Sequence, residues 1–199
     1  MKLSIRQYGD PVLRAKGQRI EKVDRRIREL AENMLETMHA ANGVGLAAQQ
    51  VGEALQLTVI DVAQVEDRPS TLKIDGVAAE VEEAMPLILV NPQITVGAEM
   101  TVGIEGCLSF PEISEEIDRA ESVMVLAETL EGAPVRIEAT GLLARALQHE
   151  IDHLNGILFI DRMSSAVKVT LSSKLKRLQK ETQSAQGRDR LARADQSAL

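Results

Sequence analysis

The stretch Gln148-His149-Glu150-Ile151-Asp152-His153 carries the residue types from which hydrolytic chemistry is built. Two histidines four positions apart project from one face of a helix, at a spacing that brings both imidazoles to a single metal ion. Glu150 follows the first of them, and a carboxylate there can take a proton from metal-bound water and pass it to a leaving group. Two histidines leave a catalytic metal one protein ligand short when one position is kept for solvent. Cys107, within Gly103-Ile104-Glu105-Gly106-Cys107-Leu108-Ser109-Phe110-Pro111, is the candidate for that place. Most free cysteines are small buried hydrophobes, but the glycines flanking this one suit a backbone held close to another group. A His-His-Cys set with an open position lowers the pKa of bound water toward about 7. Thiolate and imidazole together point to zinc on ligand chemistry alone.

Positioning these groups requires a buried helix. Leu142, Ala146, His149 and His153 fall on one face of the segment, and Leu143, Leu147, Ile151 and Leu154 cover the other. A helix apolar almost all round lies inside the protein, so its imidazoles need partners, and one metal serves both. Thr140 is the expected cap, and Asn155-Gly156 closes the helix. A second helix starts at Asp24, carries Ile27, Leu30, Met34, Leu35 and Met38 on one stripe, and ends at Asn42-Gly43. His39, near its end, reads as a surface or hydrogen-bonded residue rather than a ligand. The next run is Gly43-Val44-Gly45-Leu46-Ala47-Ala48-Gln49-Gln50-Val51-Gly52. It is neither a phosphate-binding loop nor a full dinucleotide fingerprint. Its glycines either relieve a tight turn or admit a ligand close to the main chain, and the residues alone leave both readings open.

Composition bounds the rest. With 199 residues, 44% of them apolar, the chain can build one sizeable core, and a single catalytic domain is expected. One Tyr, two Phe, no Trp and a net charge of −7 argue against DNA and against general nucleic-acid binding. A single cysteine excludes an internal disulfide and suits a reducing compartment. No signal-like start and no membrane-length apolar run are found, so a cytoplasmic location is expected. Residues 1–20 read as an irregular arm, 57–62 as a strand, and 64–84 as a hairpin or surface loop. Strands are expected at 87–90 and 93–102, broken by Asn91-Pro92, and a hairpin over 122–128 and 135–139 turning at Glu131-Gly132. Strands without a βαβ rhythm predict an α+β fold.

Three stretches then converge: Gly43-Val44-Gly45-Leu46-Ala47-Ala48-Gln49-Gln50, Glu105-Gly106-Cys107-Leu108-Ser109 and His149-Glu150-Ile151-Asp152-His153. In this order they resemble the three signature motifs of peptide deformylase, and Tyr8-Gly9-Asp10-Pro11-Val12-Leu13-Arg14 is similar to that family's opening. The resemblance covers roughly residues 3–165. It implies removal of the N-formyl group from the initiator methionine of nascent polypeptides, with release of formate. It implies Cys107, His149 and His153 as metal ligands and Glu150 as general acid/base. The side-chain amide of Gln50 and the backbone N–H of Leu108 match the family's oxyanion donors. Ferrous iron is the metal the family implies, with nickel, cobalt or zinc able to substitute. The implied fold wraps antiparallel sheets around the metal-binding helix. Val44, Leu142 and Ala146 are expected to line a methionine pocket, and backbone near Gly45 and Gly106 to pair with the peptide as an added strand.

The chain departs from the pattern in places. Residues 64–86 are longer than the corresponding link in compact bacterial members. Ser114-Glu115-Glu116 stands where several carry a substrate-contacting arginine, which leaves charge preference open. Arg119 either supports Asp152 from behind the ligand helix or is a solvated charge. Beyond a catalytic domain over 1–165, residues 166–199 read as a C-terminal basic helix and a tail. There Leu171, Leu175 and Leu178 keep helical spacing among Lys174, Lys176, Arg177 and Lys180, and disorder is expected after Gln183. The leucines predict docking on the domain, and the resemblance adds contact with ribosomal RNA. Deletion from about 170 is expected to spare peptide turnover and weaken ribosome binding. Two rival readings are a zinc peptidase and a degenerate relative acting as a binding module. The first lacks a histidine after His153 to complete its site; the second is opposed by the complete set of ligands, acid/base and amide.

Overall fold

The computed structural model describes residues 1–197. After the arm, which contains a 3-10 turn at Pro11–Arg14, come helix α1 (Arg25–Ala40), strand β1 (Gly45–Ala47), a 3-10 turn at Ala48–Val51 and β2 (Leu57–Ile60). Then follow β3 (Ser70–Ile74), β4 (Val77–Ala79), a short α2 (Val81–Ala84), β5 (Leu87–Val96), β6 (Met100–Gly106) and β7 (Ser114–Ala120). The chain continues through β8 (Ser122–Glu128), β9 (Pro134–Thr140), α3 (Gly141–Leu154), α4 (Phe159–Arg162) and α5 (Ser165–Ser197). Seven strands form one antiparallel sheet in the order β1-β2-β5-β8-β9-β3-β4, and β6 pairs with β7 in a second. The expected α+β class and the antiparallel sheets around the ligand helix are what the chain adopts.

Helix α3 is buried over its whole length after Gly141, as its apolar pattern requires. Leu143, Leu147 and Ile151 pack against Ile60, Leu89, Val125 and Ile137 of the large sheet. On another side, α1 lays Ile27, Met34 and Met38 against Leu46, Leu57 and Val59. A third cluster gathers Tyr8, Phe110 and Phe159, the chain's entire aromatic complement, against Cys107 and against Leu171, Leu175 and Leu178 of α5. Tyr8 stacks on Phe110 at 4.9 Å, and Phe110 meets Phe159 edge-on at 5.0 Å. Docking of α5 thus seals the core behind the cysteine. A deletion from about 170 would remove Leu171, Leu175 and Leu178 from that cluster.

Local differences have identifiable causes. The expected break at Asn91-Pro92 is a bulge inside continuous β5: Asn91 takes φ 52°, and the register shifts between Val90 and Gln93. The Asn91 amide anchors this kink by pairing with the N–H and C=O of Ile20, each at 2.9 Å. The expected strand 93–102 instead turns at 97–99, where β5 ends and β6 begins. Strand β7 escapes the sequence reading because Ser-Glu-Glu-Ile-Asp-Arg-Ala offers few apolar residues, although Ile117 and Arg119 alternate inward. Thr140 precedes α3 but its hydroxyl bonds Thr71 Oγ1 at 2.6 Å; Ser70 Oγ takes the Leu143 N–H instead, at 2.9 Å. The helix is therefore capped from β3. Residues 64–84 do form a hairpin, β3–β4 turning at Asp75-Gly76, and β3 joins the sheet beside β9. Helix α5 continues past Gln183 to Ser197, where disorder is expected; residues 198–199 lie outside the described residues. Among the described residues no helix is long and apolar enough to cross a membrane.

Candidate metal centre

Helix α3 presents His149, Glu150 and His153 toward the loop that follows β6. Donor atoms of Cys107, His149 and His153 all lie within 4.8 Å of one another. Cys107 Sγ is 3.2 Å from His153 Nε2. The His149 Nδ1 edge is engaged by Glu105 Oε2 at 3.0 Å, which leaves Nε2 for a ligand. A carboxylate on the far nitrogen of a ligating histidine fixes its tautomer and ring direction. His153 Nδ1 is buried with no hydrogen-bond partner among the described residues. One sulfur and two imidazole nitrogens converging in a buried pocket are a donor set that fits a divalent transition metal.

A network of charges holds this set. Arg119 donates to both oxygens of Glu105, at 2.9 and 3.1 Å, and also bonds Asp152. Arg162 closes the chain of charges on Asp152 at 2.6 Å. Arg119 is 3% exposed, so it supports the ligand helix rather than pointing to solvent. Arg145, one turn before His149, adds a bond to Glu105 Oε1 at 2.9 Å and fills the space beside Gly103, where a Cβ would lie 3.0 Å from its guanidinium. Burial works to raise the Glu105 pKa, but hydrogen bonds to His149 and Arg119 outweigh it and hold the carboxyl at about 2. Burial likewise pushes His149 down, yet hydrogen bonding to Cys107 and Glu105 raises it well above its ordinary value. His153 is driven well below its ordinary value by burial and by the charge of His149. The surroundings of His149 thus favour positive charge at this point.

Glu150 sits in the adjoining slot, 4% exposed, with Oε2 unpartnered among the described residues. Its pKa is raised to about 7, chiefly by burial. A Cβ at Gly45 would lie 2.3 Å from Glu150 Oε1. In the glycine-rich run, the group that lies against the main chain at Gly45 is the Glu150 carboxylate. Gln50, on the 3-10 turn after β1, accepts the Ala47 N–H at 2.8 Å. Its amide hydrogens are thereby turned toward Cys107 Sγ at 3.5 Å and Ser109 Oγ at 3.4 Å. The Leu108 N–H has no hydrogen-bond partner among the described residues.

A cleft of about 510 Å³ opens onto this centre. Val44, Gly45, Gln50, Gly106, Leu108, Leu142 and Ala146 line it, as do Cys107, His149 and Glu150. Of the residues given ligand, catalytic or pocket roles from sequence, His153 alone is not on its wall; it lies behind, 1% exposed. His39 pairs with Asp61 at 2.8 Å, away from the centre. Glu105 and Arg145 were not legible as site residues. Apolar alternation in β6 points the wrong way, since Met100, Val102 and Ile104 face solvent while Glu105 faces in.

A half-buried cysteine sulfur and two buried imidazoles, a carboxyl of raised pKa beside them and an open cleft define a metal-dependent hydrolase. The polypeptide deformylase family model matches residues 2–169. Peptide deformylase from Opitutus terrae is 43% identical over 93% of this chain and 97% of its own length. That from Methylacidiphilum infernorum is 45% identical over 90% and 94%. Peptide deformylase 1B from Arabidopsis thaliana, solved with an inhibitor, superposes with a TM-score of 0.79 at 36% identity, covering 94% of each chain. The chain belongs to the polypeptide deformylase family. It is accordingly a metal-dependent enzyme that removes the N-formyl group from nascent peptides.

Proposed function

We propose that Cys107, His149 and His153 hold one ferrous ion per chain, as the family resemblance implies, with nickel, cobalt or zinc able to replace it. When bound, the ion supplies the Lewis acidity that activates water toward the formyl carbon. Glu150 accepts a proton on its carboxylate and returns it to the departing amine nitrogen, a role suited to a carboxyl whose pKa stands at about 7. Gln50 Nε2 and the Leu108 N–H receive the charge that grows on the formyl oxygen. Val44, Leu142 and Ala146 accept the methionine side chain, and backbone at Gly45 and Gly106 pairs with the peptide. A large residue in place of Ala146 should raise KM for methionine substrates without altering metal content.

The observation that carries this reading is the convergence of the three donors within 4.8 Å beside a buried Glu150 whose Oε2 has no partner among the described residues. Glu150→Gln tests it: metal content should persist while formate release from a formylmethionyl peptide collapses. Turnover retained by that variant would overturn the acid/base assignment.

In this reading residues 1–165 are the catalytic domain, and 166–199 form the basic C-terminal element. The enzyme works in the cytoplasm, where nascent chains emerge and a thiol ligand stays reduced. Lys176, Arg177 and Lys180 are exposed on α5 while its leucines dock, which supports contact with ribosomal RNA. Replacing those three with glutamate should weaken salt-sensitive ribosome binding and spare peptide turnover; unchanged binding would exclude the contact.

A further inference from the structure

Two cavities meet beside the metal centre. The substrate cleft and a neighbouring groove of about 520 Å³ share Arg68, Ile104, Leu142 and Arg145 as a common wall. The two arginines of that wall differ electrostatically. Arg145 is buried, its charge is met by Glu105 at 2.9 Å, and it also donates to the carbonyls of Thr101 and Ile117 at 2.8 Å. Arg68 is half-buried and makes no ion pair or side-chain hydrogen bond among the described residues. Glu112 and Glu150 on the cleft and Glu121 on the groove are the carboxyl groups lining these cavities without an ion pair among the described residues, and none of them pairs with Arg68.

Arg68 also has a fixed base. The next residue, Pro69, packs its carbonyl against Gly141, 2.1 Å from where a Cβ would stand, and Ser70 bridges to Gly141 and caps α3. The insertion between β2 and β3 is thus pinned to the first turn of the helix that carries His149 and Glu150. It delivers one unpaired cation to the place where the cleft, at Leu142, opens into the groove.

We infer that Arg68 is a specificity-determining residue of the deformylation reaction, selecting formylmethionyl chains with aspartate or glutamate close behind the methionine. The inference rests on the placement of methionine against Leu142 and Ala146 proposed above. A chain leaving that pocket passes the shared wall, where an acidic side chain gains a partner and a basic one meets like charge.

The test compares formylmethionyl tetrapeptides carrying Glu, Ala or Lys at the second or third position, using metal-loaded wild type, Arg68→Ala and Arg68→Glu. At low salt, glutamate should exceed lysine by about two- to fivefold in kcat/KM at one of these positions, the scale of a partly exposed ion pair. The difference should lie in KM, because the contact is made equally in the ground and transition states. It should shrink as salt is raised, vanish in Arg68→Ala and reverse in Arg68→Glu. The alanine peptide should be turned over alike by all three proteins. A charge preference that survives Arg68→Ala, or none at either position, would overturn the inference. Failure to deformylate even the alanine peptide would overturn the underlying reading of the cleft as well.

Discussion

Replacing Gly45 with alanine tests whether Glu150 must occupy the slot beside β1. The added Cβ would lie 2.3 Å from Oε1, 2.7 Å from Cδ and 2.8 Å from Cγ of Glu150. Relaxing the first contact from 2.3 to 3.0 Å displaces the carboxylate by roughly 0.7 Å. Glu150 is 4% exposed, so the clash drives it out of its slot toward the cleft whose wall it forms. A misplacement of about 1 Å at a reacting group costs on the order of 100-fold, or about 2.7 kcal/mol of barrier. The assay is formate release from a formylmethionyl peptide, with metal content and thermal unfolding followed in parallel. Gly106→Ala is the control, since its Cβ would meet nothing nearer than 3.8 Å and should leave kcat intact. The expected result is a loss of about 100-fold in kcat for Gly45→Ala, with the metal retained. Turnover within about threefold of wild type at full metal loading would refute the placement of the acid/base.

Other substitutions probe separate links. Glu105→Gln removes the carboxylate that orients His149, so metal affinity should fall about 10- to 100-fold in a chelator competition; wild-type retention would show that His149 needs no such support. Gln50→Leu should lower kcat by about 10²- to 10³-fold with metal content unchanged, because it deletes the proposed oxyanion donor. Arg145→Ala leaves Glu105 with one arginine fewer in a buried network, and urea unfolding should report a loss of about 3–5 kcal/mol. Ser70→Ala removes the cap supplied to α3 from β3 and should cost about 1 kcal/mol; an unshifted transition would mean that the Leu143 N–H is satisfied elsewhere.

The parts of this molecule legible in its sequence are those set by local chemistry. The ligand helix reads correctly because its apolar residues leave no exposed face, and α1 because Asp24 caps it and one stripe is apolar. The hairpins read correctly because Asp75-Gly76 and Glu131-Gly132 supply the turns. What failed depended on partners distant in the chain. Ser70 caps a helix 73 positions away, and Asn91 bulges β5 in order to hold Ile20. Glu105 faces inward against the apolar alternation of β6 because Arg119, Arg145 and His149 await it there. Spacing within a segment shows which donors can share a metal; it does not show which buried charges hold them in place.

The most direct test of the whole account is formate release from a short formylmethionyl peptide, by protein purified without oxygen and with its metal content measured. Rapid release by the iron- or nickel-loaded enzyme, abolished by Glu150→Gln at equal metal content, is the result predicted here. A fully metallated wild-type protein that releases no formate would contradict the assignment of Cys107, His149, His153 and Glu150 to a working deformylase centre.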